Sequence, residues 1–316
     1  LCTNCKQCHP LVGTEGVFCQ KMKQGILEHL FCMVTLGLLC GWFVIILPLE
    51  TFLVLHSLLT RSLWSGTLAA FLLSACYWPL DNRYPWGAFC NSWLFRAWRR
   101  YFDWTCVVEE PLDPARRYMF AEMPHGVVPL GAILSASVVR HAFPGVKHIA
   151  GVAANIVFAV PFIRHLYGWM GIRKAGKQSI RNMYEDGVQV AVVVGGIAEM
   201  FMVSQTEERI YLKSRKNFVR LSIQLGADIV PVYFFGNSLC FHIVGGTGVN
   251  KWLRSFSRWC KSALVFYYGR LFLSIPLRRP IKMVSGRPIR VEASADPDSA
   301  YVDAVQAELI QRVRDL

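Results

Sequence analysis

One short motif of this sequence, Met123-Pro124-His125-Gly126, places a histidine where it can transfer a proton. An unperturbed histidine titrates close to neutral pH, so His125 can act as a general base. Pro124 fixes the approach of the chain, and Gly126 lets a substrate come close. The motif follows a predicted strand and precedes a predicted helical run, Leu130–Arg140, which is where an α/β fold collects reactive groups. Taken alone, the motif also fits a structural histidine.

A second motif, residues 193–199, runs from a hydrophobic strand into two glycines and then a carboxylate. Gly195 and Gly196 can turn their main-chain amides toward an anion. Glu199 is the only acid for several residues on either side. As a partner of His125, it can fix the tautomer of the ring and stabilise the imidazolium. The alternative is a glutamate that the helix dipole favours at a helix N-terminus.

A third segment is basic at its start and hydrophobic at its end. Lys213, Arg215, Lys216 and Arg220 lie within eight residues, and their charges can hold phosphate groups. The segment continues as a predicted amphipathic helix that ends at Gly226, followed by a buried strand. A solvated basic face is the alternative interpretation of these charges.

The cysteines fall into two groups. Most of the 11 are scattered through apolar stretches, which favours buried free thiols in a reducing compartment over disulfides. Cys2, Cys5 and Cys8 are close together, and Cys5 to His9 has the spacing of a c-type haem attachment site. The same residues could ligate zinc. Spacings this short favour a loose, reducible or lipidated tail over either site.

The composition of the 316 residues narrows the class of protein. Hydrophobic residues make up 53% and charged residues 17%, which argues against disorder and disfavours a freely soluble protein. Thirty-four Lys and Arg against 21 Asp and Glu give a net charge of +13. Such a chain indicates a membrane protein that meets anionic headgroups or a phosphate-bearing substrate. No nucleic-acid partner is expected, because the sequence carries no zinc-finger or RNA-recognition signature.

Two uncharged runs predict a membrane hairpin. Leu30–Leu49 has 20 residues and Leu63–Leu80 has 18, and about 20 helical residues cross a hydrocarbon layer of ~30 Å. Basic residues precede and follow the pair, whereas the connection carries only Arg61, so both ends are predicted to lie in the cytosol. Two buried core helices are one alternative. A re-entrant hairpin that turns at Pro48 and Glu50 is another.

The rest of the chain predicts an α/β fold with a mostly parallel sheet covered by helices. Runs rich in Val, Ile, Phe and Tyr indicate strands at Tyr118–Ala121, Val188–Val194, Asp228–Phe234, Ala263–Tyr267 and Ile281–Val284. The predicted organisation is a cytosolic tail over residues 1–25, a membrane hairpin of two hydrophobic helices over 26–82 and one further domain over 83–316.

Helical patterns alternate with these strands. They are predicted at Gln178–Asp186, Phe218–Leu225 and Val302–Val313. Asp296 is the expected N-cap of the last helix, with Pro297 at its first position. The apolar run Ile156–Met170 is expected to be a core helix, or a helix that lies in the bilayer surface or lines a lipid tunnel.

These motifs, in this order, resemble the type-2 diacylglycerol acyltransferase family, which also contains monoacylglycerol and wax-ester acyltransferases. The His125 motif stands where the family has His-Pro-His-Gly or Glu-Pro-His-Ser, and residues 193–199 match its Val-x-Gly-Gly-x-x-Glu block. The similarity spans roughly residues 86 to 292, and the hairpin also fits. A long family block is matched, with Asn217 in place of a glycine, by Arg215, Phe218, Gly226, Val230, Pro231, Phe235 and Gly236.

The resemblance implies a glycerolipid acyltransferase-like fold and a membrane-bound enzyme that transfers an acyl group from acyl-CoA to diacylglycerol. His125 is the expected base, Glu199 the expected acid, and acyl-CoA a substrate, with no cofactor or metal. Residues expected to support the motif or an oxyanion are Pro124, Gly126, Gly195, Gly196 and Asn237. Residues expected to bind acyl-CoA are Lys213, Arg215, Lys216, Arg220 and Arg270.

The resemblance also implies a location and partners. We expect the endoplasmic reticulum membrane or the lipid droplet surface, with the catalytic domain in the cytosol. The expected partners are acyl-CoA, the acceptor lipid and membrane lipid, and a homo-oligomer is left open. Other acceptors remain open, namely monoacylglycerol, a fatty alcohol or a lysophospholipid. The alternative of another class is a non-catalytic membrane hairpin protein that binds lipid or a partner.

The sequence departs from the family pattern at three places. Met123 replaces the first histidine of the motif, so only His125 can be the base. The family's Tyr-Phe-Pro is Tyr101-Phe102-Asp103. Related glycerolipid acyltransferases have an aspartate after four intervening residues, where Leu130 stands here. We therefore give the acid role to Glu199.

Overall fold

A computed structural model of the protein describes residues 16–19, 24–204, 206–244 and 266–316. Its strands, in chain order, are β1 (Gly16–Cys19), β2 (Thr105–Val108), β3 (Arg117–Met123), β4 (His148–Ala153), β5 (Arg173–Lys174), β6 (Val188–Val193), β7 (Ala227–Phe235), β8 (His242–Ile243), β9 (Tyr267–Tyr268) and β10 (Lys282–Ser285). One sheet has the order β1-β2-β10-β7-β3-β6-β4-β5, and β8 pairs with β9 in a separate ribbon. Neighbours from β7 to β5 are parallel, as are β2 and β10.

Helices cover both faces of this sheet. They are α1 (Ile26–Thr60), α2 (Leu63–Ser74), α3 (Gly87–Cys90), α4 (Trp93–Tyr101), α5 (Leu130–Ser135), α6 (Val139–Ala142), α7 (Ile163–Trp169), α8 (Lys177–Glu185), α9 (Gly196–Met200), α10 (Asn217–Leu225) and α11 (Ser299–Asp315). α8, α10 and α11 pack on one face, while α1, α4, α5 and α7 pack on the other. The predicted class, α/β with a mostly parallel sheet covered by helices, is confirmed.

The strands with the strongest hydrophobic patterns were the ones that could be predicted. β3, β6, β7 and β10 each cover most of a predicted strand. The start of the predicted strand Ala263–Tyr267 lies outside the described residues, and β9 begins at Tyr267. β4 was not predicted, because its sequence, HIAGVA, contains alanines and a glycine, which have low strand propensity.

Two predicted helices are interrupted in the structure. The run Leu130–Arg140 forms two short helices, α5 and α6, with a turn between them. The run Ile156–Met170 is divided into a 3₁₀ turn, Asn155–Ala159, and α7. Pro161 lies at this second break and explains it, because proline lacks the N–H that a continuous helix needs.

The last helix begins later than predicted. Its N-cap is Asp298 and its first residue is Ser299, so Asp296 and Pro297 precede it. The carbonyl oxygen of Pro297 accepts a hydrogen bond from Arg220 at 2.9 Å instead of serving a helical turn. Pro297 therefore belongs to the loop before α11 and not to the first turn of that helix.

The predicted hairpin has different boundaries in the structure. Within the described residues, no single helix has both the length and the apolar character to cross a membrane, but Ile26–Trp42 and Ile45–Thr60 pass this test as a pair bent by 66°. Pro48 explains the bend, because its ring displaces the carbonyl group one turn earlier. The chain turns back at Arg61, which is left-handed at φ 53°, rather than at Pro48 or Glu50. α2 then has 12 residues, fewer than the 18 of the predicted run.

The first half of α1 packs against the α/β domain. Cys32, Leu36 and Cys40 are buried in the same core cluster as Phe95 and Trp98 of α4. The first half of α1 also exposes large apolar side chains, among them Ile26, Leu27 and Val34, and further ones are exposed on its second half and on α2. The further ones are Ile45, Leu49, Phe52, Leu55, Leu58, Leu59, Leu63, Trp64, Leu68, Phe71 and Leu73.

Candidate active site

Three loops meet at the carboxyl edge of the sheet, because β7, β3 and β6 are parallel neighbours in that order. β3 is followed by Pro124-His125-Gly126, β6 by Gly195 and Gly196, and β7 by Gly236 and Asn237. The His125 loop therefore has one of the other two loops on each side. This edge is where α/β proteins bind ligands.

The imidazole of His125 lines a cavity and is oriented by the next peptide group. Its Nδ1 atom lies 2.9 Å from the carbonyl oxygen of Gly126. Because a carbonyl only accepts, Nδ1 carries the hydrogen and Nε2 keeps the lone pair that a base needs. Burial lowers the pKa of His125, and main-chain hydrogen bonds oppose this only in part. The ring is therefore neutral near pH 7 and can accept a proton at Nε2.

Glu199 is buried between two of the loops and holds the main chain of His125, not its ring. Its Oε1 atom accepts the main-chain N–H of His125, and its Oε2 atom accepts that of Tyr211 at 3.2 Å. The carboxylate folds back over Gly195, where a Cβ would overlap it. Burial raises the pKa of Glu199, and the two N–H donors oppose the rise. The expectation that Glu199 orients the ring is thus corrected: the Gly126 carbonyl fixes the tautomer, and Glu199 positions the loop.

Asn237 clamps the His125 loop from the β7 side. Its Nδ2 atom donates to the carbonyl oxygens of Pro124 at 3.2 Å and of His125 at 3.0 Å, and its Oδ1 atom accepts from the N–H of Gly131 at 3.0 Å. Gly126 has a positive φ of 62°, and a Cβ there would lie 2.6 Å from this Nδ2 atom, so the position requires glycine. The expected oxyanion role of the Asn237 side chain is corrected, because its Nδ2 atom already donates to main-chain carbonyl oxygens of the His125 loop.

We expect Asn237→Asp to destabilise this loop, because a carboxylate oxygen would replace the N–H donor that faces two carbonyl oxygens. Each buried group left unpaired costs about 1–3 kcal/mol, so the melting temperature of the purified protein should fall clearly. Asn182→Asp is the matched control, since Asn182 is exposed on α8 and bonds a side chain of its own helix. Equal melting temperatures for the two variants would contradict the clamp.

Arg215 connects the Glu199 loop to the segment that follows it. Its Nη2 atom donates to the carbonyl oxygen of Gly195 at 3.0 Å, and its guanidinium carbon lies 5.0 Å from the ring centre of Tyr211. Lys213 is exposed two residues earlier. Of the five residues expected to bind acyl-CoA, these two are nearest in the chain to the contacts of Glu199.

The other three expected acyl-CoA ligands are engaged elsewhere. Lys216 Nζ lies 2.6 Å from an aspartate of α11, and Arg220 donates to the carbonyl oxygen of Pro297. Lys216 is the N-cap of α10 and Arg220 lies four residues later in that helix, so both lie on the side toward α11. Arg270 is 2.8 Å from the Nε2 atom of His29 in α1. The structure therefore does not bring the five cations together as one phosphate site.

An apolar cavity of about 420 Å³ lies beside His125, on the face of the sheet that carries α1, α5 and α7. Its walls come from β3, β4, β6, α1, α5, α7 and β9, and its described lining residues include no Lys or Arg. Such a cavity is typical of a site for a hydrophobic ligand. Polar side chains that reach it include Glu122, Ser135, Tyr167 and Tyr267.

Glu122 is a lining residue that no sequence motif predicts. It lies on β3, three residues before His125. Strand alternation directs Tyr118, Phe120 and Glu122 to one face of the sheet, and the first two belong to the core on that face. Glu122 could therefore have been noticed in the sequence as an acid at a position where strand alternation predicts an inward-facing apolar residue.

Met123 lies on the opposite face of β3. Its side chain is fully buried in the core cluster that contains Ala121 and Val194, beneath α10 and α11. The departure from the family histidine at this position therefore removes no group from the cavity that His125 lines.

The next feature is the distribution of possible metal ligands and cysteines. In residues 24–204, 206–244 and 266–316, no group of three or more His, Cys, Asp or Glu could hold a metal ion. Cys2, Cys5, Cys8 and His9 lie outside the described residues, so the expectation of a loose, reducible or lipidated tail rather than a haem or zinc site stays a prediction. Six of the described cysteines are free thiols, namely Cys32, Cys40, Cys76, Cys90, Cys106 and Cys240.

Comparison with known proteins gives consistent matches. The family model described as diacylglycerol acyltransferase matches residues 58–316. Diacylglycerol O-acyltransferase 2 of Xenopus tropicalis is 30% identical over 319 residues, which cover 93% of this chain and 86% of that protein. Diacylglycerol O-acyltransferase 2-like protein 6 of Homo sapiens is 28% identical over 281 residues, covering 78% and 83%. Among solved structures, the 1-acyl-sn-glycerophosphate acyltransferase PlsC of Thermotoga maritima has a TM-score of 0.44 and 12% identity, with 92% of this chain and 97% of that chain covered.

Proposed function

This chain belongs to the diacylglycerol acyltransferase family, and on that premise we propose that it transfers the acyl group of acyl-CoA to the free hydroxyl of diacylglycerol, with His125 as general base. The observation that carries the proposal is the contact between the Nδ1 atom of His125 and the carbonyl oxygen of Gly126. This contact leaves a basic Nε2 on a ring that lines a large apolar cavity.

The proposed reaction uses His125 twice. Nε2 accepts the proton of the acceptor hydroxyl as that oxygen attacks the carbonyl carbon of the thioester. The carbon–sulfur bond then breaks, and the imidazolium returns the proton to the thiolate of coenzyme A. A positioned base of this kind contributes about 10²- to 10⁴-fold in rate. Acyl-CoA is consumed as a substrate, and no cofactor is part of the proposal.

The other site residues have supporting roles in this proposal. Glu199 and Asn237 hold the His125 loop through its main chain. With the Asn237 side chain already bonded, the proposed oxyanion donors are the main-chain N–H groups of Gly126, Gly195 and Gly196. For the phosphates of acyl-CoA we propose Lys213 and Arg215, which lie beside the segment that contacts Glu199.

The cavity favours a neutral acceptor. Its described lining includes no Lys or Arg, so the phosphate of a lysophospholipid would be buried without a counter-charge. Diacylglycerol, monoacylglycerol and a fatty alcohol carry no charge and meet no such penalty. Diacylglycerol is the acceptor named in the family and in both relatives, and it is our first choice.

An acceptor panel tests this proposal. Purified protein in detergent–lipid micelles receives radiolabelled oleoyl-CoA with diacylglycerol, monoacylglycerol, hexadecanol or lysophosphatidate, and the labelled products are separated. We expect triacylglycerol to form fastest and lysophosphatidate to remain unacylated. Label in phosphatidate alone would show that diacylglycerol is not the acceptor. If no product formed from the thioester, acyl transfer would be rejected in favour of the non-catalytic lipid-binding hypothesis.

We also propose that residues 26–82 form a membrane hairpin and that the domain over 83–316 lies in the cytosol, at the endoplasmic reticulum or a lipid droplet. The exposed apolar side chains of α2 and of the second half of α1 support this, since soluble proteins rarely expose so large a patch. A loop beside the first half of α1 supports it too. Leu271 and Phe272 there are 71% and 83% exposed, with Arg270 adjacent.

The mode of membrane attachment can be measured by flotation with phosphatidylcholine–phosphatidylserine vesicles. Inserted apolar helices should keep the protein on the vesicles at 1 M NaCl, because salt of about that concentration screens charges beyond ~3 Å but does not weaken hydrophobic contacts. Release into the soluble fraction would mean that the net charge of +13 attaches the protein electrostatically, which contradicts the hairpin.

A further inference from the structure

Glu122 is an ionisable side chain in the apolar cavity that lacks strong partners. The residue is 5% exposed and lines the cavity with His125. Its Oε1 atom lies 3.4 Å from the hydroxyl of Ser135, and that hydroxyl donates to the carbonyl oxygen of Ala132 at 2.8 Å. Since a hydroxyl has one hydrogen, the shorter bond takes it and the contact with Glu122 is weak.

Two other buried acids show what full pairing looks like in this protein. Asp228, at the start of β7, accepts from Arg116, from Arg290 at 2.9 Å and from the main chain. Glu199 accepts from two main-chain N–H groups. Buried polar groups are ordinarily paired in this way, because an unpaired one destabilises the fold. The contacts that the protein makes with Glu122 therefore do not explain why an acid stands at position 122.

The surroundings keep Glu122 uncharged. The titratable groups that face the cavity with it are His125, Cys40 from α1, Tyr167 from α7 and Tyr267 from β9, and no described lining residue is cationic by nature. Burial raises the pKa of Glu122 to about 8. Burial also raises the pKa of both tyrosines, so they are neutral at pH 7. Near pH 7 Glu122 is thus a carboxylic acid that can donate one hydrogen bond and accept others.

We propose that the Glu122 carboxyl group hydrogen-bonds an uncharged oxygen of the lipid in the cavity, either on the acylglycerol, as hydroxyl or ester carbonyl, or on the acyl thioester. The inference rests on the proposed acyl transfer. A bound oxygen would supply the partner that the protein itself does not provide, and it would fix the lipid relative to His125, three residues along the chain. Glu122 is thereby a substrate-positioning residue in a cavity that otherwise binds by apolar contact.

Three variants separate this role from a structural one. Glu122→Gln keeps a donor and an acceptor of the same shape, and Glu122→Leu removes both. Met123→Leu is the matched control, because Met123 is the next residue of β3 and packs in the opposite core cluster. With oleoyl-CoA and diacylglycerol at pH 7, we expect Glu122→Leu to lower kcat/KM about tenfold and the other two to stay within about threefold of wild type, as the loss of one neutral hydrogen bond implies.

The kinetic constants identify the oxygen that is bound. A KM raised for diacylglycerol alone assigns the contact to the acylglycerol, and a KM raised for oleoyl-CoA alone assigns it to the thioester. Stability provides a readout of opposite sign. Glu122→Leu should raise the melting temperature, because it replaces a weakly paired carboxyl group by an apolar side chain, whereas loss of a structural glutamate would lower it.

The pH profile gives a third readout. Wild-type activity should fall as pH rises through about 8, where Glu122 ionises and can no longer donate, and Glu122→Gln should not show this fall. Wild-type kinetics in Glu122→Leu for both substrates, a lower melting temperature in that variant, or the same alkaline fall in Glu122→Gln would each overturn the inference. Failure of the proposed function is distinguishable, because the wild type would then make no triacylglycerol at all.

Discussion

Replacement of His125 by alanine is expected to lower kcat for acyl transfer by about 10²- to 10⁴-fold, the usual contribution of a positioned general base. The reason is the loss of Nε2, the ring atom left with a lone pair when Nδ1 bonds the Gly126 carbonyl. The fold should survive, because Glu199 and Asn237 hold the main chain of residue 125 and not its side chain. The initial rate with radiolabelled oleoyl-CoA and diacylglycerol measures the effect.

His242→Ala is the matched control for this experiment. The His242 ring stacks on Tyr268 in the β8–β9 ribbon, and it does not line the cavity. We expect this variant to keep wild-type turnover, and the melting temperatures of both variants show whether each is folded. If a folded His125→Ala variant turned over at the wild-type rate, His125 would be excluded as the base.

Gly195→Ala is expected to reduce kcat by about 10²-fold, the size of effect that a misplacement of ~1 Å in a catalytic group produces. Gly195 has an ordinary helical φ of −68°, so backbone strain does not arise. The added Cβ would instead overlap the Glu199 carboxylate and displace it. The main-chain N–H groups of His125 and Tyr211 would then lose their acceptor, and the base would lose its fixed position.

Gly176→Ala serves as the control, because no atom lies within 4 Å of a Cβ built at Gly176. Its activity should remain at the wild-type level. A double variant makes the test specific: in a Glu199→Gly background, which removes both the carboxylate and the Glu199 Cβ that the added Cβ would meet at 2.7 Å, Gly195→Ala should do no further harm. Full activity of Gly195→Ala alone, or additive losses in the double variant, would contradict the positioning role of Glu199.

The architecture of the site could be predicted because it follows from strand order. The His125 motif and the motif of Gly195, Gly196 and Glu199 each follow a strand with a strong hydrophobic pattern, and parallel neighbours end at the same edge of a sheet. The sequence therefore predicted that His125 and Glu199 would meet, and the structure brings the Glu199 carboxylate to the main chain of His125. The family resemblance identified the same residues from motif spacing.

The contacts within the site could not be predicted, because they depend on loop conformation. The Glu199 carboxylate lies against Gly195, and this position directs it to the main-chain N–H of His125 and not to the ring. Asn237 uses its amide on the main chain because the positive φ of Gly126 brings that loop against it. Glu122 carries no motif, and its role depends on a cavity formed by several separate elements.

The pH dependence of kcat/KM tests most directly the central claim that His125 is a neutral base beside the lipid cavity, because this quantity reports ionisations of the free enzyme. Burial lowers the pKa of His125 from its usual 6.5, and the base form exists above that pKa. The account predicts an acid limb in which one proton binds with a midpoint below 6.5. A single-proton midpoint at or above 6.5, or a profile with no acid limb, would contradict it.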